Sequence, residues 1–190
     1  FLCSLLIGYL FGCFQTPYYI SKFIYKKDIR KIGSGNAGAS NITSQFGWKY
    51  GLLAALLDIF KAFLPTKIII YFFPQSFFQL EIMIIAGTGA ILGHIYPFFL
   101  DFKGGKGVAC YIGMLLAINW PLGVIAIISL LLITIITDYI SIGSIVLYTV
   151  IPFIYIDNSK IILFCFFVLF MVGILKHRIN IKRIISGDEI

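Results

Sequence analysis

Apolar residues in this chain fall in long, nearly unbroken stretches, and charged residues fall between them. Stretches near 1–20, 50–73, 80–96, 107–119, 121–137, 141–156 and 160–176 each read as an apolar helix. A helix that is hydrophobic all round belongs in a bilayer or a very large core. Several stretches are shorter than the roughly 20 residues that cross a hydrocarbon core. Those at 107–119 and 121–137 are parted only by Asn119-Trp120-Pro121, so they read as one long element or as a tight hairpin. Taken as seven spans, with six or five as alternatives, the pattern predicts an all-α polytopic membrane bundle. No repeat, linker or low-complexity tract interrupts it, which predicts a single domain over 1–190. The first apolar run lacks a basic flank and a cleavage site, and reads as a retained helix.

Composition sharpens this picture. The chain is 60% hydrophobic and 12% charged, with a mean hydropathy of +1.00. Soluble domains sit near 45–50% apolar and about 25% charged. A soluble fold of this size has too little interior to hide so much apolar surface.

Charge sets the expected orientation. The net charge is +7. With seven spans, one side holds Lys22, Lys26, Lys27, Arg30, Lys31, Lys49, Lys103, Lys106, Lys176, Arg178, Lys182 and Arg183, which is 12 of the 15 Lys and Arg. The positive-inside bias makes that side cytoplasmic, with the N-terminus outside and the C-terminus inside. Bases confined to loops between apolar runs fit membrane topology and argue against nucleic acid as a partner. Cys3, Cys13, Cys110 and Cys165 lie in apolar runs without ligand spacing and read as packing residues. With two histidines in the chain, no metal-ligand set is visible.

Candidate chemistry gathers on the same side. Lys31-Ile32-Gly33-Ser34-Gly35-Asn36-Ala37-Gly38-Ala39-Ser40-Asn41 formally matches G-x-G-x-x-G. A charged stretch precedes it where a dinucleotide fold needs a buried strand, so that fold is rejected. Glycine still lets backbone N–H groups converge on an anion, and Ser34, Asn36, Ser40 and Asn41 add polar contacts. A plain loop with a helix cap at Ser40 or Asn41 is the other reading.

Gly104-Gly105-Lys106-Gly107 directly before a helix is not a Walker A motif, yet it suits a phosphate. Backbone amides, a helix N-terminus and the Lys106 ammonium all favour an anion there. A basic interfacial turn is the alternative. His94, taken alone, reads as a packed, hydrogen-bonded residue. Asp58 and Lys61 are i,i+3 inside a span and read as a mutual ion pair. His177 and Asn180, also i,i+3, would share one helix face, although a basic tail lying on anionic lipid explains the same segment. Asp138 and Ser141 mark a short turn. The polar groups gather on one face, which favours an interfacial enzyme over a membrane transporter of a phosphorylated solute.

Together these clusters carry a resemblance. The run from Asp28 through Asn41, Gly93-His94 with Pro97, Phe102 through Val108, His177-Arg178 with Asn180 through Arg183, and Gly187 with Glu189 occur in order over essentially the whole chain. Gly12 through Gln15 before Pro17, and Leu57-Asp58 with Lys61, fit as well. The sequence resembles the bacterial membrane acyl-phosphate:glycerol-3-phosphate acyltransferases. That resemblance implies seven transmembrane helices in the cytoplasmic (inner) membrane and a cytoplasm-facing site in a monomer.

It further implies transfer of a fatty acyl group from acyl phosphate to the 1-hydroxyl of sn-glycerol 3-phosphate. The products would be lysophosphatidic acid and phosphate, at the start of phospholipid synthesis, with no cofactor. By motif position, Lys106, Ser34, His177 and Asn180 would be catalytic. Gly33, Gly35, Asn36, Asn41, Gly104, Gly105, Gly107 and Ser141 would bind substrate. The family is thought to work by substrate assistance, a substrate phosphate taking the hydroxyl proton. The His-x4-Asp signature of other glycerol-3-phosphate acyltransferases is absent, since Phe99 and Lys182 stand five residues after the two histidines. Two positions depart from the family: Ser44 and Asp138 stand where it usually carries arginine, and Lys49 or Arg178 would have to supply the missing charge.

Overall fold

The computed structural model describes residues 1–74, 76–155 and 159–187. Among them the chain forms nine α-helices: α1 Leu2–Cys13, α2 Thr16–Ile24, α3 Ala39–Phe46, α4 Trp48–Phe72, α5 Gln79–Ile95, α6 Val108–Ile118, α7 Trp120–Thr137, α8 Ile140–Ile154 and α9 Lys160–Ser186. They fall into two compact units, Phe1–Ile118 and Asn119–Ile190. Three helical segments are long and apolar enough to cross a membrane: Gln79–Leu100, Trp120–Thr137 and Lys160–Ser186.

One expected span comes out differently, and the ambiguity at Asn119-Trp120-Pro121 resolves into two helices. The stretch 1–20 is two helices, broken at Phe14 and Gln15. Pro17 in the first turn of α2 has no N–H to donate, so a continuous helix would lose its bond to the Cys13 carbonyl. The break frees carbonyls at the end of α1, and the Gln15 side chain donates to the Gly12 oxygen at 3.3 Å. The stretches 107–119 and 121–137 are separate helices. Asn119 between them is extended (φ −153°, ψ 94°), and its side chain caps α7 by accepting from the Leu122 N–H at 3.1 Å. The long polar loop expected after residue 20 also holds helix α3, whose N-cap is Gly38 rather than Ser40 or Asn41.

In the first unit, α1 and α5 approach backbone to backbone. A Cβ on Gly8 would run into the Ala86 carbonyl, and one on Gly12 into that of Ala90. One on Gly89 would meet the Leu5 carbonyl, and one on Gly93 that of Tyr9. Small residues four apart on both helices are the usual way for apolar helices to pack closely without a hydrophobic driving force. α4 and α6 meet similarly, Gly113 lying against the Ile59 carbonyl. This close packing fixes the ends of α1 and α5 from which the functional loops depart.

In the second unit α8 packs between α7 and α9. Gly143 lies against Leu130, and Gly173 faces the ring of Tyr148.

Candidate active site

The glycine-rich loop of the first unit is organised by one side chain. Asn41, in the first turn of α3, is 3% exposed. Its amide nitrogen donates to the carbonyls of Ile29 (3.1 Å), Ile32 (3.1 Å) and Asn36 (3.0 Å). Its oxygen accepts the Ser34 N–H at 3.1 Å. The loop therefore wraps around Asn41, whose polar atoms serve the loop's own backbone. Gly33 and Gly35 take left-handed conformations (φ 55° and 73°) that make the wrap possible. A Cβ on Gly33 would also strike the Asn41 amide. Ser34 is exposed and Asn36 half-buried on the outside of this wrap.

Arg30 ties this loop to the second one. Its guanidinium pairs with Asp28 at 2.8 Å and donates to the Leu100 carbonyl at 2.9 Å. It lies 5.3 Å from the centroid of the Tyr18 ring. The hydrogen bond from Arg30 holds the Asp28 carboxyl below the usual carboxylate range.

Beyond Leu100 the chain reverses through Asp101 and Phe102, both left-handed (φ 55° and 57°), and delivers Gly104 and Gly105 against the end of α5. There the Gly104 N–H donates to the Ile95 carbonyl at 3.2 Å and the Gly105 N–H to the His94 carbonyl at 3.1 Å. A Cβ on Gly104 would strike the His94 carbonyl. A Cβ on Gly105 would strike the His94 ring and lie 2.8 Å from the Ala37 carbonyl oxygen.

The Gly104 and Gly105 amides, expected at a phosphate, are thus engaged with the end of α5. Those donors close the turn, and both glycines are there because nothing larger fits. Gly107 (φ 85°) caps α6, accepting the Tyr111 N–H at 2.8 Å, and the amides of the first helical turn point out of the N-terminus. Lys106 is half-buried at this end.

Asp58, Lys61 and His94 lie beneath the turn. The anticipated Asp58–Lys61 ion pair is present at 2.8 Å, and it does not stand alone. The Lys61 ammonium also donates to the Phe14 carbonyl at 2.6 Å and lies 2.8 Å from His94 Nδ1. Gln15 adds a hydrogen bond to the His94 carbonyl at 3.0 Å. Gln15, Arg30 and Lys61 are the residues that reading the sequence left without a site role. The signals for them were an apolar span carrying two opposite charges, for Lys61, and the motif stretches that contain Gln15 and Arg30.

Ser141, His177 and Asn180 belong to the second unit. α9 runs through Ser186, so His177 and Asn180 do share a helix face, as their spacing anticipated. His177 is 1% exposed, and its Nδ1 lies 2.8 Å from the Gly173 carbonyl. A carbonyl only accepts, so Nδ1 carries the proton and Nε2 is the acceptor of the neutral ring. The Tyr148 ring packs 6.0 Å away, in the gap that Gly173 leaves. The Ser141 hydroxyl is buried and makes no hydrogen bond among the described residues. An unmet group of this kind costs about 1–3 kcal/mol, which a polar ligand atom would relieve. Gly187 caps α9 in a left-handed conformation (φ 76°), and Glu189 lies outside the described residues.

Comparison with known proteins places the chain in a family. Residues 2–187 match the family model described as glycerol-3-phosphate acyltransferase. The glycerol-3-phosphate acyltransferase of Thermosipho melanesiensis is 38% identical over 189 residues, covering 100% of this chain and 91% of the relative. That of Staphylococcus aureus is 39% identical over 198 residues, covering 97% and 94%. Crystal structures of PlsY, an integral membrane glycerol 3-phosphate acyltransferase, superpose over the whole chain at 32% identity. The glycerol 3-phosphate form gives a TM-score of 0.88 and covers 94% of that protein. The lysophosphatidic acid form gives 0.84 and covers 93%.

Proposed function

Because this chain belongs to the glycerol-3-phosphate acyltransferase family, we propose that it moves a fatty acyl group from acyl phosphate to the 1-hydroxyl of sn-glycerol 3-phosphate. The products are lysophosphatidic acid and inorganic phosphate. The observation that carries the reading is the pair of interlocked loops, Asp28–Asn41 and Pro97–Gly107, ending in a lysine at a helix N-terminus.

In this reading Lys106 and the first-turn amides of α6 hold the acyl-phosphate headgroup. They stabilise the charge that leaves with it. The acceptor hydroxyl attacks the acyl carbon, and the acyl C–O bond to phosphate breaks. A substrate phosphate takes the hydroxyl proton. Ser34 and Asn36 on the first loop contact substrate oxygens, Gly33 and Gly35 give that loop its shape, and Asn41 acts through it. Ser141, His177 and Asn180 bind polar substrate groups, His177 through Nε2. The protein works as one acyltransferase domain of seven spans in the bacterial inner membrane, N-terminus out and C-terminus in, as a monomer among lipid.

The test is phosphate release from palmitoyl phosphate by the purified protein, with and without glycerol 3-phosphate, while lysophosphatidic acid is followed. Release should depend on the acceptor and match the lipid product. Removing a preorganised donor costs about 10²–10³ in rate, so Lys106→Ala should lower turnover at least about 10²-fold in a folded protein. Near-normal turnover in that variant would remove the headgroup role from Lys106. Uptake of labelled glycerol phosphate without any acyl donor would favour transport instead.

A further inference from the structure

We infer that Lys61 is a positioning residue, which sets the tautomer and orientation of His94 and through it the glycine turn that carries Lys106. Three elements converge on the Lys61 ammonium: the Phe14 carbonyl at the end of α1 (2.6 Å), Asp58 one turn earlier on α4 (2.8 Å), and His94 Nδ1 on α5 (2.8 Å). An ammonium has three protons and no lone pair; hydrogen bonds run to the Phe14 carbonyl and His94, and the Asp58 carboxylate balances the charge. Because Lys61 can only donate, Nδ1 of His94 must accept, and the neutral ring carries its proton on Nε2. Asp58 Oδ1 lies 3.8 Å from the same ring nitrogen, so the ion pair and the imidazole form one buried cluster.

The other edge of the ring meets the site. Nε2 lies where a Gly105 side chain would start, beside the Ala37 carbonyl of the first loop. The His94 carbonyl meanwhile accepts the Gly105 N–H (3.1 Å) and the Gln15 side chain (3.0 Å). His94 therefore holds the turn by its ring and by its backbone, and Lys61 fixes that ring. A buried ion pair contributes little stability against an apolar replacement, and setting a unique geometry is the use this arrangement serves. Lys61 is buried, and these protein groups take up its ammonium.

The role in catalysis rests on the acyltransferase reading above, whereas the effect on the turn does not. The test is the Asp58→Asn/Lys61→Met double variant, which removes both charges together and leaves neither buried alone. Hydrogen exchange at the Gly104 and Gly105 amides is read by mass spectrometry in detergent. We expect exchange there at least about tenfold faster, with α6 and α7 still protected. In the acyltransferase assay the variant should lose activity mainly through a rise in KM for acyl phosphate, about tenfold or more, with kcat less affected.

His94→Gln, which keeps a donor near the Nε2 position and loses the Lys61 acceptor, serves where the double variant does not fold. It should loosen the same two amides. Unchanged exchange at Gly104 and Gly105 in a folded variant overturns the inference, whatever the activity. Failure of the wild-type protein to make lysophosphatidic acid would overturn the acyltransferase reading and leave the exchange result standing.

Discussion

Asn41→Ala is the substitution whose cost follows most directly from the structure. The side chain makes four hydrogen bonds of 3.0–3.1 Å to the loop it anchors, three from its amide nitrogen and one to its oxygen. Two N–H protons are shared among three carbonyls, so the bonds do not count at full value. At about 1 kcal/mol net each, with sharing allowed for, alanine removes about 3 kcal/mol from the ordered loop. It also leaves the buried Ile29 carbonyl without this donor. That loss corresponds to about a 10²-fold shift between ordered and open loop.

We expect kcat/KM to fall between about 30- and 300-fold while the helices keep their thermal midpoint within a few degrees. Asn41→Asp should be as damaging, because it keeps the acceptor for Ser34 and sets a carboxylate among three carbonyl oxygens. Limited trypsin cleavage at Lys31 should speed up in both variants. If Asn41→Ala keeps kcat/KM within about threefold of wild type, the loop does not depend on this anchor and the reasoning fails.

Three further outcomes follow from other parts of the structure. Gly12→Val should cost more than the about 1–3 kcal/mol of ordinary overpacking, because its Cβ meets the rigid Ala90 backbone; thermal unfolding in detergent checks this. The Asp28 carboxyl is held low by Arg30, so its contribution is present above the ordinary carboxylate range and is lost as pH falls through the lowered folded value. Asp28→Asn should therefore weaken the protein at neutral pH and narrow its gap to wild type in acid, read from unfolding midpoints between about pH 3 and 7. Ser44 is exposed, and its hydroxyl makes only local bonds, donating to the Asn41 carbonyl at 3.3 Å and accepting from the Gln45 side chain at 3.2 Å, which leaves room for a longer chain. Ser44→Arg should lower KM for glycerol 3-phosphate by several-fold, and an unchanged KM would show that this cation is not missed.

Much of the fold could be read from the sequence because apolar runs report burial directly. The long helices α4, α5, α7 and α9 lie where their stretches predict. The break in the first stretch was harder to see, since Gly12 through Gln15 keeps the run mostly apolar and Pro17 also fits the first turn of a helix. The loops were legible as chemistry and not as geometry. Glycine at 104 and 105 signals either free amides or a tight approach, and composition cannot distinguish the two. Only the placement of His94 shows that these glycines are small because a ring and a carbonyl press on them. Asn41 gave the same ambiguity: a polar side chain in a glycine-rich loop could face a ligand or the loop, and here it faces the loop.

That distinction changes what the basic charge means. The net charge of +7 suggests a generous supply of cations for two phosphate-bearing substrates. Yet Arg30 is committed to Asp28 and the Leu100 carbonyl, and Lys61 to Asp58, Phe14 and His94. Neither can reach for a ligand without releasing the loop it holds. In the proposed reading both serve the shape in which amides and one lysine would meet phosphate. In an apolar protein this division is physically sensible, because a cation paired with protein groups is cheaper to bury than one kept waiting for substrate. On the same reading, replacing a family arginine by Ser44 would weaken the hold on the acceptor's phosphate without loosening the loops that Arg30 and Lys61 hold.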